Sequence, residues 1–560
     1  MFCFTIHDDQ IGIVMDFFFF RRTFGQWLFL ACLLLFVCPC ALAASSGLAA
    51  TSFPTGQAQG RYVVGFREVE QYDPSRSYRT NGLDLVTGST LPLLPGRPVQ
   101  MLVWYPAQEG GEVMNYGDYL TFGGREDRFD RTPAEVARVA RDGLRWLAAA
   151  GLDQRALEAI KRQPVNARRD APAQAGHFPV VIYAASGSAS PFENDVLCEY
   201  LASHGYVVVA IPSVGSRRRY MGDGNYEASH GDLHDTLDDT EAQALDIGYA
   251  IGYASALPDA DEAHVAVVAF SWGGMASVFA AARDDRIKAL VQLDGAMRYY
   301  PGVLRMAPYV RPERLRLPML FFASNDSPIQ PARDSQPGSL VDRMRYGDVT
   351  TVQMYPLSHN DFAADTQRFD PTTTGSHYTV GQVHAAYGWM ARYTLAFLDA
   401  YMKDDARGRA FLRAVPAANG VSPGLMASAW RAGVAGPLGL PDFVTMLAAD
   451  GWVDPVATYE RFRRKSPRFV ILEDALDDWQ AVLAEQGENE KARGIARLHV
   501  HMFPRESGAY DALGMADEAL GDTAGAGRDY EHALAADRFD SHAAKRLAAL
   551  RSAGVIRREP

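Results

Sequence analysis

Three side chains far apart in the chain have the types and spacing to carry nucleophilic chemistry. Ser271 interrupts "HVAVVAFSWGGMASVFAAA" (264–282), where a β-branched run stops at one hydroxyl and small residues follow. A serine hydroxyl attacks poorly in neutral water, so it needs a base to take its proton and an acid to orient that base. His359 in "VQMYPLSHND" is the base with the best address, directly after an apolar run. His377 lies in the polar "TTTGSHY", and His384 enters an apolar helical stretch. Two acids qualify: Asp294 ends "KALVQLD", one strand after the serine, and Asp326 ends "PMLFFASND", two strands after it. Either can reach the base, leaving the other as a turn or capping residue. Such a set transfers acyl groups with no metal and no organic cofactor.

The chemistry also needs two backbone N–H groups aimed at the oxygen that becomes negative. One belongs to Trp272, the residue after the nucleophile. The other belongs to the loop after "VVIYAAS", at Ser186 or Gly187. A serine between a strand and a helix, with Gly273 two residues later, has the layout of a nucleophile elbow. Ala269 stands two residues before it, where glycine is usual.

The elements that must position these residues come from a strict alternation beginning at Phe178. "FPVVIYAAS", "YVVVAIP", "HVAVVAF", "IKALVQLD", "PMLFFASND" and "TTVQMYPLSH" read as strands. Between them, "ENDVLCEYLASHG", "DTEAQALDIGYAIGYAS" and "WGGMASVFAAAR" read as helices; Gly205 closes the first, and Asp239 or Thr240 caps the second. "VHAAYGWMARYTLAFLDAYM" is the closing helix, and "RYVVGFREV", "RPVQMLVWYP" and the helical "PAEVARVARDGLRWLAAAGL" precede the alternation. Apolar strands alternating with helices predict a mostly parallel, doubly wound α/β sheet, with chemistry at the strand C-termini.

"AFSWGGMAS", "VQLDGAM" and "LSHNDF" together resemble the platelet-activating-factor acetylhydrolase branch of the α/β-hydrolases, over roughly 178–365. The resemblance implies an α/β-hydrolase fold with Ser271 as nucleophile, Asp294 as acid and His359 as base. It also implies a carboxylic ester substrate, among them short-acyl phospholipids. Two departures stand out: Ala269, and "AASGSAS" where many relatives carry His-Gly. A backbone donor does not require a neighbouring histidine, so Trp272 and Gly187 still form the expected oxyanion hole.

The remaining features bound the reading. A chain of 560 residues exceeds one ordinary core. Its 48% hydrophobic and 22% charged content is that of a globular protein, and a net charge of -12 argues against a nucleic-acid binder. Arg21 and Arg22, the apolar "WLFLACLLLFVC" and "PCALAA" predict an export signal cut after Ala43, with Met15 a candidate start. The mature chain then works in a periplasm or outside the cell. Cleavage removes Cys3, Cys32, Cys38 and Cys40, leaving Cys198 as a buried inert thiol with no disulfide partner. "SHGDLHDTLDDTE" gathers His230, Asp232, His234, Asp235, Asp238, Asp239 and Glu241, which reads as an acidic lead-in to a helix rather than a metal loop. The basic Ser216–Arg219 run reads as a solvated turn.

After about Asp404 the pattern changes. "GRAFLRAVPAANGVSPGLMASAW" shows no clear strand. Further on, Gly487 and Gly521, Ala492 and Ala526, and Trp479 and Leu513 each stand 34 residues apart. Pro504 has Arg538 at the matching place, and Leu547 continues the register. This resembles tetratricopeptide repeats, which implies a helical clamp or a groove for a protein partner. The expected organisation is a signal at 1–43, an α/β-hydrolase domain at 44–405, an irregular or helical linker at 406–470 and helical repeats at 471–553. The expected function is an exported serine ester hydrolase. Its rivals are another acyl hydrolase of the same fold, dienelactone-hydrolase-like or peptidase-like, and a non-catalytic interaction scaffold.

Overall fold

The computed structural model describes residues 55–78, 94–143, 154–215, 219–220, 226–227, 233–326, 340–369, 377–434, 436 and 438–554. The export signal and most of the basic run at 216–219 lie outside them, as do His230 and Asp232 of the acidic lead-in. The chain divides into two units, Met1–Val434 and Ala435–Pro560.

The first unit is built on one eleven-stranded sheet in the order β13-β12-β11-β10-β9-β5-β6-β2-β1-β4-β3. The strands are β1 (Val63–Asp73), β2 (Arg97–Ala107), β3 (Glu112–Asn115), β4 (Pro164–Arg169), β5 (Phe178–Ala184) and β6 (Val207–Ile211). A separate two-stranded ribbon is β7 (Arg219–Tyr220) with β8 (Tyr226–Glu227). The series resumes with β9 (Ala260–Phe270), β10 (Ile287–Leu293), β11 (Met319–Ala323), β12 (Val349–Met354) and β13 (Met426–Arg431). The six strands from β5 to β12 in the main sheet run parallel; β1, β2 and β6 pair antiparallel, as do β12 and β13. Continuous apolar runs such as "FPVVIYA" are buried along their whole length because helices cover both sheet faces.

Four helices matter for the site: α1 (Asp195–Ser203), α2 (Leu233–Ser255), α3 (Trp272–Ala281) and α4 (Val380–Met402). Gly205 follows α1 with φ 89, the left-handed close expected of it. Two expectations need correction. Helix α2 begins at Leu233, so Asp239 and Thr240 are interior residues and not its cap. Thr240 is fully buried, and its hydroxyl accepts the Trp272 indole N–H.

The second correction concerns the linker at 406–470. A helix covers Ala406–Arg413, and Met426–Arg431 then adds to β12 as an antiparallel edge strand. The first unit therefore runs past 405, to Val434. "MASAWR" hides as a strand because it buries little beyond its first residue and carries few β-branched residues, as an edge strand can. Strands β3 and β4 escape sequence reading for the same reason: each is short and only partly buried.

The second unit is helical: α5 (Leu440–Ala449), α6 (Pro455–Lys465), α7 (Glu473–Glu485), α8 (Asn489–Met502), α9 (Ser507–Ala519), α10 (Thr523–Ala536) and α11 (Ser541–Ser552). The α7–α8 pair and the α9–α10 pair start and end 34 residues apart. Gly487 and Gly521 turn between the helices of each pair at φ 76 and 81. Gly514 lets α9 and α10 approach, since a Cβ there would lie 2.6 Å from the Tyr530 ring. Phe443, Tyr459, Phe462, Leu476 and Ile495 form one core of this unit, and Ala526, Tyr530, Ala543 and Leu547 another.

Candidate active site

Strand β9 ends at Phe270 and α3 starts at Trp272, so the whole turn falls on Ser271. Its backbone sits at φ 50 and ψ -114, a region that costs a non-glycine residue about 1–3 kcal/mol. The surroundings hold it there. Its N–H donates to the Leu293 carbonyl at 3.1 Å, and its own carbonyl accepts from Gly274 at 3.0 Å and Ala296 at 2.7 Å. Both following glycines are sterically required. A Cβ on Gly273 would lie 2.3 Å from the Ala184 oxygen, and one on Gly274 would lie 2.4 Å from Gln292 Oε1. Ala269 pairs with Ala184 and Gln292 inside the sheet, and its methyl is fully buried in the core. The missing first glycine is thus accommodated by packing.

The structure brings Ser271, Asp294 and His359 together. His359 Nε2 lies 2.9 Å from Ser271 Oγ, and His359 Nδ1 lies 2.6 Å from Asp294 Oδ2. Asp294 follows β10 with a positive φ of 47 and is completely buried. Its other oxygen accepts from the Tyr299 hydroxyl at 2.7 Å and the Ser324 N–H at 3.2 Å. Burial, followed by the Asp294 charge, pushes the Tyr299 phenol well above its ordinary range, so it stays a donor. Asp326 does not touch the imidazole. Its carboxylate accepts the backbone N–H of His359 at 2.6 Å and so anchors the turn that carries the base. Buried Asp361 fastens the same turn, accepting from the N–H and hydroxyl of Ser358 at 2.8 and 2.6 Å. The Phe270 ring lies 5.2 Å from the imidazole, while His359 keeps about a third of its side chain exposed (34%). His384 is on α4 and meets the Gln367 carbonyl, and His377 is exposed; neither joins the three.

Trp272 is the first residue of α3, so its N–H has no acceptor within the helix and points out at the turn. Its indole is pinned by Thr240 at 3.0 Å and meets the Tyr300 ring edge-on at 5.4 Å. Gly187 faces it: a Cβ on Gly187 would contact Trp272 Cβ at 3.5 Å. Ser186 is not the second donor, because its N–H is given to Glu193 Oε1 at 2.7 Å. Of the two expected positions, Gly187 remains. Glu193, Tyr299 and Thr240 are contacts that sequence reading passes over. Glu193 sits in "PFEND", where an acid just before a helix is ordinary, and nothing local signals its burial. Cys198 is free and buried, and burial raises its thiol well above the usual range.

A hydroxyl, an imidazole and a carboxylate in hydrogen-bond sequence, beside N–H groups at a helix start, can activate the hydroxyl and receive negative charge from a carbonyl.

Residues 165–394 match the family model described as the dienelactone hydrolase family. No curated protein matches the chain. Among solved structures, a ferulic acid esterase from Streptomyces cinnamoneus is similar, with 17% sequence identity and a TM-score of 0.44. That alignment covers 63% of this chain and 93% of the esterase. The first unit has an α/β-hydrolase-like fold, a mostly parallel sheet covered by helices, and is similar over 165–394 to the dienelactone hydrolase family.

Proposed function

We propose that the chain is a serine hydrolase of carboxylic esters, with Ser271 as nucleophile, His359 as base and Asp294 as the acid that orients it. One observation carries this reading: the unbroken hydrogen-bond sequence Ser271–His359–Asp294 at the C-terminal ends of β9, β10 and β12. His359 Nε2 takes the Ser271 proton as Oγ attacks the ester carbonyl. The resulting oxyanion is received by the N–H groups of Trp272 and Gly187. The same imidazole then protonates the departing alcohol. Water, activated by His359, attacks the acyl-enzyme and releases the acid. Asp294 holds the imidazole through Nδ1 and stabilises the imidazolium. No step calls on a metal or an organic cofactor. The matched family is named for a lactone, a cyclic ester, which agrees in bond class.

Within that class, short-acyl esters are the proposed substrates, including short-acyl phospholipids, on the resemblance of the elbow and histidine motifs. The sequence of the first residues supports export, with the signal cut after Ala43. The 34-residue helix pairs support a tetratricopeptide-like reading of the second unit, with a protein partner as its proposed ligand.

The test is hydrolysis of 4-nitrophenyl acetate by the mature chain beside Ser271→Ala. Turnover should fall on the order of 10⁶-fold. Equal rates in the two proteins would remove the proposal. A panel of esters of rising acyl length then locates the substrate; a rate that grows with chain length would overturn the short-acyl assignment.

A further inference from the structure

The loop that carries Gly187 is held by a buried side chain with no place in the proton transfers. After β5 the chain runs Ala185–Ser186–Gly187–Ser188, with Ser188 at φ 60 and a turn closed by Ala189 N–H on the Ser186 carbonyl at 3.1 Å. Glu193 folds back across this turn and grips Ser186 twice. One carboxyl oxygen accepts the Ser186 N–H at 2.7 Å, and the other is hydrogen-bonded to the Ser186 hydroxyl at 2.7 Å. The peptide plane that follows Ser186 carries the Gly187 N–H. Fixing Ser186 at both its N–H and its hydroxyl therefore limits the direction in which that donor points.

The grip extends further. Tyr183, inside β5, donates its hydroxyl to the Glu193 oxygen that accepts the Ser186 N–H, at 2.8 Å. Asn194, the next residue, donates to the Tyr183 oxygen at 2.7 Å. The side-chain oxygen Oδ1 of Asn194 accepts the Tyr387 hydroxyl at 2.8 Å and the backbone N–H of Ala364 at 3.0 Å. Ala364 follows the short turn Asn360–Phe362 that comes directly after His359. One adjacent pair, Glu193 and Asn194, therefore ties the Gly187 loop to the segment behind the base. Glu193 is 4% exposed and Asn194 fully buried, so the bonds they make with Tyr183, Tyr387 and Ala364 are shielded from water, while Ser186 at the loop end is half-buried.

We propose that Glu193 is a positioning residue for the oxyanion hole: through Ser186 it sets the orientation of the Gly187 N–H, and with Asn194 it keeps that loop in register with the histidine turn. This rests on the serine-hydrolase reading above and extends it to a residue that touches no reacting atom. Burial and the nearby Asp365 carboxylate raise the Glu193 carboxyl to about 8, against the hydrogen bonds from Ser186 and Tyr183. At neutral pH the side chain thus holds its proton, the protonated oxygen donating to Ser186 Oγ rather than accepting from it, and glutamine reproduces its shape, its acceptor toward the Ser186 N–H and a donor toward Ser186 Oγ.

The experiment compares Glu193→Gln with Glu193→Leu, using 4-nitrophenyl acetate for kcat and KM and an alkyl boronic acid as a tetrahedral, oxyanion-bearing inhibitor. Fluorophosphonate labelling of Ser271 counts the competent sites in each preparation. Glu193→Gln should keep kcat within about threefold of the native chain. Glu193→Leu should lower kcat per competent site by about 10²-fold, as loss of one oxyanion donor does. Its KM should stay within about threefold, and boronate affinity should fall with kcat. A merely structural role would lower the number of competent sites and leave kcat per site and boronate affinity unchanged; that result overturns the proposal. Equal losses in the two variants, or a rise in KM that matches the loss, overturn it as well. Should Glu193→Leu not accumulate as folded protein, Glu193→Asp takes its place. It keeps the carboxyl group but is one methylene too short to grip Ser186, and the same kcat loss is expected. Ser271→Ala in parallel separates the two failures. Hydrolysis that survives Ser271→Ala refutes the underlying reading, whereas Ser271-dependent hydrolysis that is indifferent to Glu193 refutes only this inference.

Discussion

Replacing Asp294 and Asp326 separately by asparagine tests the site more sharply than any other pair of changes. Each carboxylate touches His359, but at different atoms. Asp294 receives the ring Nδ1–H at 2.6 Å and is completely buried. Asp326 receives only the backbone N–H, also at 2.6 Å, and is exposed. In Asp294→Asn the carboxamide can donate to Nδ1, which stabilises the wrong tautomer and puts a proton on Nε2 where a lone pair must face Ser271. No negative charge then supports the imidazolium. The expected fall in kcat is about 10⁴-fold. In Asp326→Asn the amide oxygen still accepts the backbone N–H. The loss is that of a charge-assisted bond reduced to a neutral one in water, about 1 kcal/mol, or roughly fivefold in kcat. The assay is steady-state hydrolysis of 4-nitrophenyl acetate, with thermal denaturation run on both variants. A severe loss in Asp326→Asn with near-native rates in Asp294→Asn would refute the assignment of the acid and the argument that built it.

Three further outcomes follow from the packing. Gly273→Ala drives a methyl to 2.3 Å from the Ala184 oxygen, so the elbow must open; we expect a loss of about 1–3 kcal/mol in stability, seen in denaturant unfolding, and loss of esterase activity with it. Arg368→Met leaves Asp195 buried without its cation, since the two are paired at 2.7 Å and both are almost fully buried; unfolding should be easier by about 3–5 kcal/mol. Glu193→Gln has a pH signature in stability. A carboxyl raised from 4.5 to about 8 by burial and by Asp365 is protonated in both states below the unfolded value and resists ionisation in the fold above it. The native chain therefore loses stability as pH rises from about 4.5 toward 8, and the glutamine variant does not. Calorimetry should show the Tm of Glu193→Gln gaining on the native chain between pH 5 and pH 8, and a gap that shrinks instead would reverse the sign of the argument.

The parallel half of the sheet was legible because burial on both faces forces continuous apolar strands. The elbow was legible because the turn at Ser271 requires small residues two and three places after it, at Gly273 and Gly274. Backbone strain at Ser271 and Asp294 and the close contacts of Gly273 and Gly274 give those short motifs their physical content. The edge strands β3 and β13, and β4 next to β3, were not legible, because a half-buried strand pairs through backbone groups that any residue supplies. The choice between Asp294 and Asp326 rested on resemblance, since both follow strands of similar composition. What separates them is which atom of His359 each meets, and that depends on where two turns cross in space. Glu193 was invisible for a related reason. Its partners Ser186 and Tyr183 are near in sequence, but only the fold-back of one loop turns an ordinary helix-start acid into a clamp.

The most direct measurement is the mass of the chain after treatment with a fluorophosphonate, followed by peptide mapping. The account predicts one adduct, on Ser271, formed at least 10³-fold more slowly in His359→Ala and absent in Ser271→Ala, with hydrolysis lost in step. Labelling at any other residue, or ester hydrolysis that continues after Ser271 is fully modified, would contradict it.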